Sequence, residues 1–162
     1  MGRNSVTRHA SSVITSRQCA RDAGRSSGAS DPQHEFEQRF HTPGAVHHAT
    51  AAIWEAQLAT AREVIAAVGG VERVAAIGIT NQRETAVVWD RATGRAVADA
   101  IVWQSRVTAP FCKELRDAGH ETLVRSRTGL PIDAYFSGPK FRQILVEDPA
   151  LRSRADGGEL AA

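Results

Sequence analysis

The sequence predicts an α/β domain in which a long helix is followed by three strands and then by further helices. Three observations lead to this prediction. Apolar residues recur on one helical face of residues 50–68, and residues 74–79 form a continuous apolar run. Residues 85–89, rich in β-branched side chains, are joined by a Gly-containing turn to a third apolar segment at 98–103.

The first elements follow from local signals. Residues 36–40 are predicted to form a short strand before a Thr-Pro-Gly turn. The long helix has Thr50 as its N-cap candidate and ends at the glycine pair 69–70. Its apolar face carries Trp54, Leu58, Ala61, Ile65 and Val68. We therefore expect Trp54 to lie in the core.

Residues 74–79 are predicted to be a strand covered on both faces, because the run has no polar alternation. After the second and third strands, a helix is predicted at 108–118 and a short one at 121–126. A last helix is predicted to start near Pro139 and to end by Pro149. The polar residues 152–162 are expected to be frayed.

The predicted strand 74–79 ends in a cluster of polar residues that includes Arg83 and Glu84. Open α/β sheets bind ligands outside the carboxyl ends of their strands. Arg83 offers a fork of donors and Glu84 offers acceptors, so together they suit a small polyhydroxylated ligand. Taken alone, the pair is better explained as an ordinary exposed ion pair.

Residues 75–90, AAIGITNQRETAVVWD, resemble the matching segment of glycerol kinases, a branch of the FGGY carbohydrate kinase family. Four further segments resemble the family in the same order, at residues 34–57, 101–104, 133–138 and 158–160. The combination of Asn-Gln-Arg-Glu-Thr with Tyr-Phe-Ser-Gly favours glycerol kinases over xylulose or gluconate kinases. The fold that the resemblance implies is a partial ribonuclease-H-like, actin-like ATPase domain. It would have a mixed sheet and flanking helices and would lack the first strands.

The resemblance also implies site residues. Arg83 and Glu84 would hydrogen-bond glycerol hydroxyls, Tyr135 would add a phenolic hydroxyl, and Trp103 would pack against the carbon chain. Without the resemblance, Tyr135 is better explained as a packing aromatic and Trp103 as a core residue of its strand. This chain departs from the family pattern at three places, where it has Ser-Arg-Val at 105–107, Ala134 and Pro139.

By resemblance, the activity is ATP-dependent phosphorylation of glycerol to glycerol 3-phosphate, with ATP and Mg²⁺. The family's phosphate-binding hairpin is absent here, and its general base is expected beyond residue 162. We therefore assign no catalytic, cofactor-binding or metal-binding residue, and we expect an incomplete fragment that is inactive alone. The alternative is a non-catalytic remnant or a polyol-binding or interaction module. A homo-oligomer or a complementing chain are possible partners.

Composition excludes several classes of function. The formal net charge of +2 gives no reason to expect a nucleic-acid partner, and no apolar stretch is long enough to span a membrane. The histidines at 34, 41, 47 and 48 lack the spacing of a metal site. Cys19 and Cys112 are far apart and no secretory signal is evident, so we expect reduced thiols and a cytoplasmic protein.

Residues 1–33 differ from the rest, being rich in Ser and Arg without hydrophobic periodicity. This composition predicts disorder, and an organellar transit peptide is a second interpretation. Because similarity to the family begins abruptly near His34, a loss of reading frame upstream of that residue is a third interpretation. An alternative start site and a gene fusion stay open. The domain division expected is therefore residues 1–33 and a partial kinase domain at 34–162.

Overall fold

The computed structural model describes residues 32–162. The interpretations of residues 1–33 therefore lie almost wholly outside the described residues and stay predictions. The chain divides into two compact units. The first comprises the described part of Met1–Glu37 with Ala51–Asn81, and the second comprises Gln38–Thr50 with Gln82–Ala162.

All but the first residue of helix α1, Thr50–Ala67, belongs to the first unit, and the helix matches the predicted one to within one residue. The helix ends where Gly69 and Gly70 adopt positive φ angles of 92° and 126°, a backbone conformation that side chains with a Cβ rarely take. A short 3-10 turn, Val71–Arg73, follows.

The expectation that Trp54 lies in the core is wrong, because its side chain is 65 % exposed. The buried residues of α1 are instead the small Ala56 and Thr60, and the Thr60 hydroxyl donates to the Ala56 carbonyl at 2.9 Å. Helical periodicity shows which residues share a face. It does not show whether another layer of the protein covers that face.

The predicted strand at residues 74–79 is also not formed. The segment has no regular secondary structure, and Ile77 and Ile79 are 79 % and 93 % exposed. A strand exists only where another strand accepts and donates its backbone hydrogen bonds. Within residues 32–162, no segment pairs with this one, so its apolar character is left facing solvent.

The second unit contains two small sheets. In the first, the strands β1 (Gln38–Arg39), β2 (His47–His48) and β4 (Ala100–Ile101) are ordered β1-β2-β4. In the second, β3 (Trp89–Asp90) pairs with β5 (Leu160–Ala161). All strand pairs among the described residues are antiparallel. The small sheets and flanking helices agree with the predicted α/β class.

The predicted strands 85–89 and 98–103 form a short hairpin. Ala86 exchanges two backbone hydrogen bonds with Ile101, at 2.9 and 3.1 Å, and Val97 donates to Val88 at 3.0 Å. The turn between them contains Gly94 at φ 68°, as the sequence predicts.

Four helices follow in this unit: α2 (Ala109–Asp117), α3 (Glu121–Thr128), α4 (Ser137–Glu147) and α5 (Pro149–Asp156). The first three were predicted. Gly129 ends α3 with φ 74°. No helix among the described residues is both long and apolar enough to cross a membrane.

The expectation of a frayed tail is wrong, because α5 and β5 occupy it and Leu151 and Leu160 are buried. The signal was present in the sequence. Asp148 accepts a hydrogen bond from the Ala150 N–H at 2.9 Å, and Pro149 occupies the first helical position. The buried core of the unit joins both ends of its sequence: Ala86, Val88, Ile101, Ile144, Leu151 and Leu160.

Candidate functional site

Glu84 lies in a tight turn immediately before the hairpin. The Thr85 N–H donates to the Gln82 carbonyl at 3.3 Å, and the Thr85 hydroxyl donates to the Gln82 side chain at 2.7 Å. Among the described residues, Glu84 is the one non-glycine residue with a positive φ, 57°. Residues held in this conformation cluster at functional sites, because the surrounding contacts must offset the strain.

Those contacts come from the start of helix α4. One carboxylate oxygen of Glu84, Oε2, accepts from the Ser137 N–H at 2.7 Å and from the Ser137 hydroxyl at 2.8 Å. The first N–H groups of a helix have no partner within the helix, and the positive end of the helix dipole favours an anion there. Glu84 therefore acts as the cap of α4 and is fixed in orientation.

Lys140, also in the first turn of α4, reaches the same turn from inside the protein. The residue is fully buried, and its Nζ donates to the Glu84 carbonyl at 2.5 Å and to the Tyr135 carbonyl. Burial lowers the pKa of this amine to about 8. Two predicted site residues are thus tied together through their backbones by one side chain.

The aromatic part of the site adjoins this link. The Tyr135 ring meets the Trp103 ring edge to face, with centroids 6.4 Å apart, and meets the Phe136 ring in the same way at 5.4 Å. Tyr135 is 38 % exposed and Trp103 43 % exposed. Both rings therefore keep surface that a ligand can contact.

An ion pair fixes the backbone before Tyr135. Asp133 accepts the Tyr135 N–H at 2.8 Å and a two-point contact from the Arg106 guanidinium at 2.8 and 3.4 Å. Hydrogen bonds from Arg106 and from the Tyr135 N–H hold the pKa of the Asp133 carboxyl below its usual value. Arg106 lies in the Ser-Arg-Val segment at 105–107, where the sequence departs from the family pattern, and its partner in the structure is Asp133.

The structure therefore brings together three of the four predicted site residues, Glu84, Tyr135 and Trp103. Arg83 is exposed, and it makes no hydrogen bond or ion pair with the rest of residues 32–162. The alternative of an ion pair between Arg83 and Glu84 is not what the structure forms, because the Glu84 carboxylate contacts Ser137 instead. The Arg83 guanidinium is left available to a ligand.

A cavity of about 260 Å³ lies elsewhere in the second unit. It is lined by His41, Thr42, His47, Ala98, Asp99, Ile101, Val107, Ile144 and Glu147. None of the four predicted site residues borders it. Burial lowers the pKa of His47, so this imidazole is neutral near pH 7.

Among the described residues, neither a metal-binding cluster nor the cysteine thiol belongs to the predicted site. Across residues 32–162, no cluster of three or more His, Cys, Asp or Glu side chains is arranged to hold a metal ion. Cys112 is a free, buried thiol, and burial raises its pKa, so it is an unreactive neutral group near pH 7.

Comparison with known proteins gives the decisive observation. Residues 25–159 match the N-terminal domain of the FGGY family of carbohydrate kinases. The chain belongs to the FGGY family. It is 55 % identical over 128 residues to a glycerol kinase of Gluconobacter oxydans and 53 % identical over 130 residues to one of Rhodospirillum rubrum. These alignments cover 79 % and 80 % of this chain but only 25 % and 26 % of the relatives.

Two solved kinase structures agree with this assignment. The chain superposes on a Plasmodium falciparum glycerol kinase with ADP at a TM-score of 0.74 and 27 % identity. That match covers 80 % of this chain and 26 % of the other. A "xyloylose kinase" from Brucella ovis matches in fold, with a TM-score of 0.64 at 21 % identity over 74 % of this chain and 24 % of that one. The predicted actin-like kinase class is thereby confirmed for this FGGY chain.

Two residues that contact the predicted site residues, Ser137 and Lys140, were missed by the sequence analysis. A signal existed for Lys140, because a cation in the first turn of a helix opposes the helix dipole. Such a residue needs compensating acceptors, which here are the carbonyls of Glu84 and Tyr135. For Ser137, its position at the start of the last predicted helix was the available clue.

Proposed function

We propose that this chain carries part of the glycerol-binding site of an ATP-dependent glycerol kinase. Glu84 would accept hydrogen bonds from glycerol hydroxyls and Arg83 would donate to them. Tyr135 would contribute its phenolic hydroxyl, and Trp103 would form an apolar wall against the carbon chain. The chain spans about a quarter of the length of the relatives it matches, and the activity is proposed for the whole protein.

One observation carries the proposal. Glu84 Oε2 is held by both donors of Ser137, whereas Oε1 has no protein partner among the described residues. A carboxylate fixed through one oxygen presents the other in a set direction. A polyol hydroxyl is a suitable donor for that oxygen, and the charge makes the bond stronger than a neutral one.

The neighbouring groups complement this acceptor. The free Arg83 guanidinium supplies several donors, and the partly exposed Tyr135 hydroxyl both donates and accepts. Small-molecule sites combine a few directed polar groups with an apolar wall, and Trp103 packed edge to face on Tyr135 suits that wall. A site of this type discriminates against ligands that lack a hydroxyl, because its polar groups would then be unpaired.

Phosphoryl transfer depends mainly on positioning and electrostatic stabilisation. In the proposed reaction, ATP with Mg²⁺ supplies the phosphoryl group. The contribution of this chain is to bind glycerol and orient its hydroxyls. No residue of this chain is assigned to proton abstraction.

The test is a calorimetric titration of the chain with glycerol, beside propane-1,2-diol and propane-1,3-diol. Saturable glycerol binding that weakens at least tenfold in Glu84→Gln and for both diols supports the proposal. The control is Glu114→Gln, which changes an exposed carboxylate on α2. Equal binding of glycerol and diols, or equal binding by the Glu84 variant, would overturn it.

A further inference from the structure

Lys140 differs from the other lysine of the chain in its burial and in its hydrogen-bond partners. The sequence contains two lysines, Lys113 and Lys140. The Lys113 side chain is 70 % exposed and pairs with Asp117 one helical turn away. Lys140 is fully buried, and its amine donates to two backbone carbonyls instead of to a carboxylate.

Those carbonyls belong to segments far apart in sequence. Glu84 lies 56 residues before Lys140, in the turn that precedes the hairpin. Tyr135 lies five residues before Lys140, in the loop that enters α4. Lys140 Nζ also lies 5.7 Å from the centre of the Tyr135 ring. The amine therefore contacts both the backbone and the underside of the aromatic residue.

Ser137, one helical turn earlier, contacts the same glutamate through its carboxylate. The first turn of α4 thus holds Glu84 at two points, with Ser137 on the side chain and Lys140 on the main chain. Glu84 has a positive φ of 57°, a conformation that surrounding contacts must hold, and a backbone rotation away from it would redirect the carboxylate.

We infer that Lys140 is a positioning residue of the polyol site, which holds Glu84 and Tyr135 at a fixed separation so that both contact one ligand. This inference rests on the proposed function. Lys140 does not touch the ligand, and its effect is transmitted through the two residues that do. Pre-organisation of this kind strengthens binding, because the free protein already has the bound geometry.

The environment of the amine fits this role. Groups with charge near it include Glu84, Arg106 and Asp133. Burial lowers the pKa of Lys140 to about 8, so protonated and neutral forms interconvert at moderately alkaline pH. The protonated amine has three donors and the neutral one has two, so both forms can serve both carbonyls.

The test exploits the presence of only two lysines. The full chain is prepared with ¹³C-labelled lysine, and the two Cε signals are assigned with Lys140→Met and Lys113→Met. Glycerol is then titrated. We expect the Lys140 signal to shift saturably with the same midpoint as calorimetric binding, and the Lys113 signal to stay in place. A purely structural lysine distant from the ligand would give no shift.

The second readout is affinity. We expect Lys140→Met to bind glycerol about tenfold more weakly or worse, because the two carbonyls lose their shared donor. Lys113→Met should bind like the unmodified chain. Lys140→Arg keeps donors and should recover part of the affinity. If Lys140→Met does not fold, the titration of the unmodified labelled chain and Lys140→Arg still decide the question.

The outcomes separate the two claims. Glycerol binding with an unmoved Lys140 signal, or with a folded Lys140→Met that binds within twofold of the unmodified chain, overturns the positioning role and leaves the glycerol site intact. Absence of glycerol binding by the unmodified chain overturns the proposed function, and the positioning role with it.

Discussion

Glu84 Oε2 accepts two hydrogen bonds from Ser137, one from the backbone N–H at 2.7 Å and one from the hydroxyl at 2.8 Å. This contact joins the turn after residues 74–79 to the first residue of helix α4. The chain positions between them differ by 53 residues, so the contact depends on the folded second unit. It converts a surface glutamate into an oriented acceptor.

Replacement of Ser137 separates the two donors. Ser137→Ala removes the hydroxyl and keeps the N–H, so we expect a loss of about 1 kcal/mol in the free energy of unfolding. Glu84→Gln keeps the shape but removes the charge at the helix terminus, and about 1–2 kcal/mol should be lost. Urea unfolding followed by far-UV circular dichroism measures both. If the free energy of unfolding is the same in both variants as in the unmodified chain, Glu84 does not cap α4.

The phenolic hydroxyl of Tyr135 is expected to matter for binding and not for folding. Tyr135 is the only tyrosine of the chain, and its hydroxyl makes no hydrogen bond to any other side chain or backbone group of residues 32–162. Tyr135→Phe should weaken glycerol binding by about three- to tenfold, equivalent to one modest hydrogen bond, with an unchanged urea midpoint. Titration calorimetry beside urea unfolding tests this. A shifted midpoint with unchanged affinity would assign the hydroxyl a structural role instead.

The buried amine predicts a pH dependence of stability. The pKa of Lys140 is about 8 in the folded protein, and that of an unfolded lysine is about 10.4. Between these values the unfolded chain binds more protons, so the free energy of unfolding should rise with pH. We expect the unmodified chain to gain stability relative to Lys140→Met from pH 8 to about pH 10.5.

The matched control for this measurement is Lys113→Met, because Lys113 is exposed. The unmodified chain and this variant should keep a constant stability difference across the same pH range. A parallel course for the unmodified chain and Lys140→Met would contradict the lowered pKa of the buried amine.

Acid should weaken the loop before Tyr135. Hydrogen bonds from Arg106 and the Tyr135 N–H lower the pKa of Asp133 in the folded state. Its contribution to stability is therefore present above the unfolded pKa of about 3.9 and is lost as pH falls through the lower folded pKa. Asp133→Asn should remove this part of the acid sensitivity, measured as the pH dependence of the urea midpoint. If Asp133→Asn leaves the pH dependence of the urea midpoint unchanged, Asp133 does not contribute to the acid sensitivity.

The exposed apolar segment predicts self-association. Ile77 and Ile79 are almost fully exposed in a run from Val74 to Asn81 that carries no charge. Such segments promote strand pairing between chains. Ile79→Lys should raise the concentration at which light scattering begins, with an unchanged urea midpoint for the second unit. Equal scattering by both proteins would show that another surface drives association.

The sequence predicted elements that depend on local signals. Helix α1, the Gly94 turn and helix α2 were all predicted, because periodicity, capping and turn glycines are local properties. The predictions of a strand at residues 74–79 and of a buried Trp54 were wrong for the same reason. Strand formation and burial depend on distant segments that cover or pair with a residue, and a single window contains no information about them.

The candidate site shows the same difference between local signals, which were predicted, and long-range contacts, which were not. Glu84 was predicted from its position after an apolar run and from the resemblance, and Tyr135 from the resemblance, but the links between them through Ser137 and Lys140 were not predicted. Those links cross 53 and 56 residues of sequence, and only the fold brings them together. The positive φ of Glu84 likewise has no signature in a turn that contains no glycine.

The central claim is tested most directly by mapping glycerol binding onto backbone amide signals of the ¹⁵N-labelled chain. The account predicts saturable shifts at Glu84, Tyr135 and Ser137, with no shifts at His47 or Asp99 beside the separate cavity. These shifts should disappear in Glu84→Gln. Glycerol-dependent shifts confined to the cavity, or no saturable shifts at millimolar glycerol, would contradict the account.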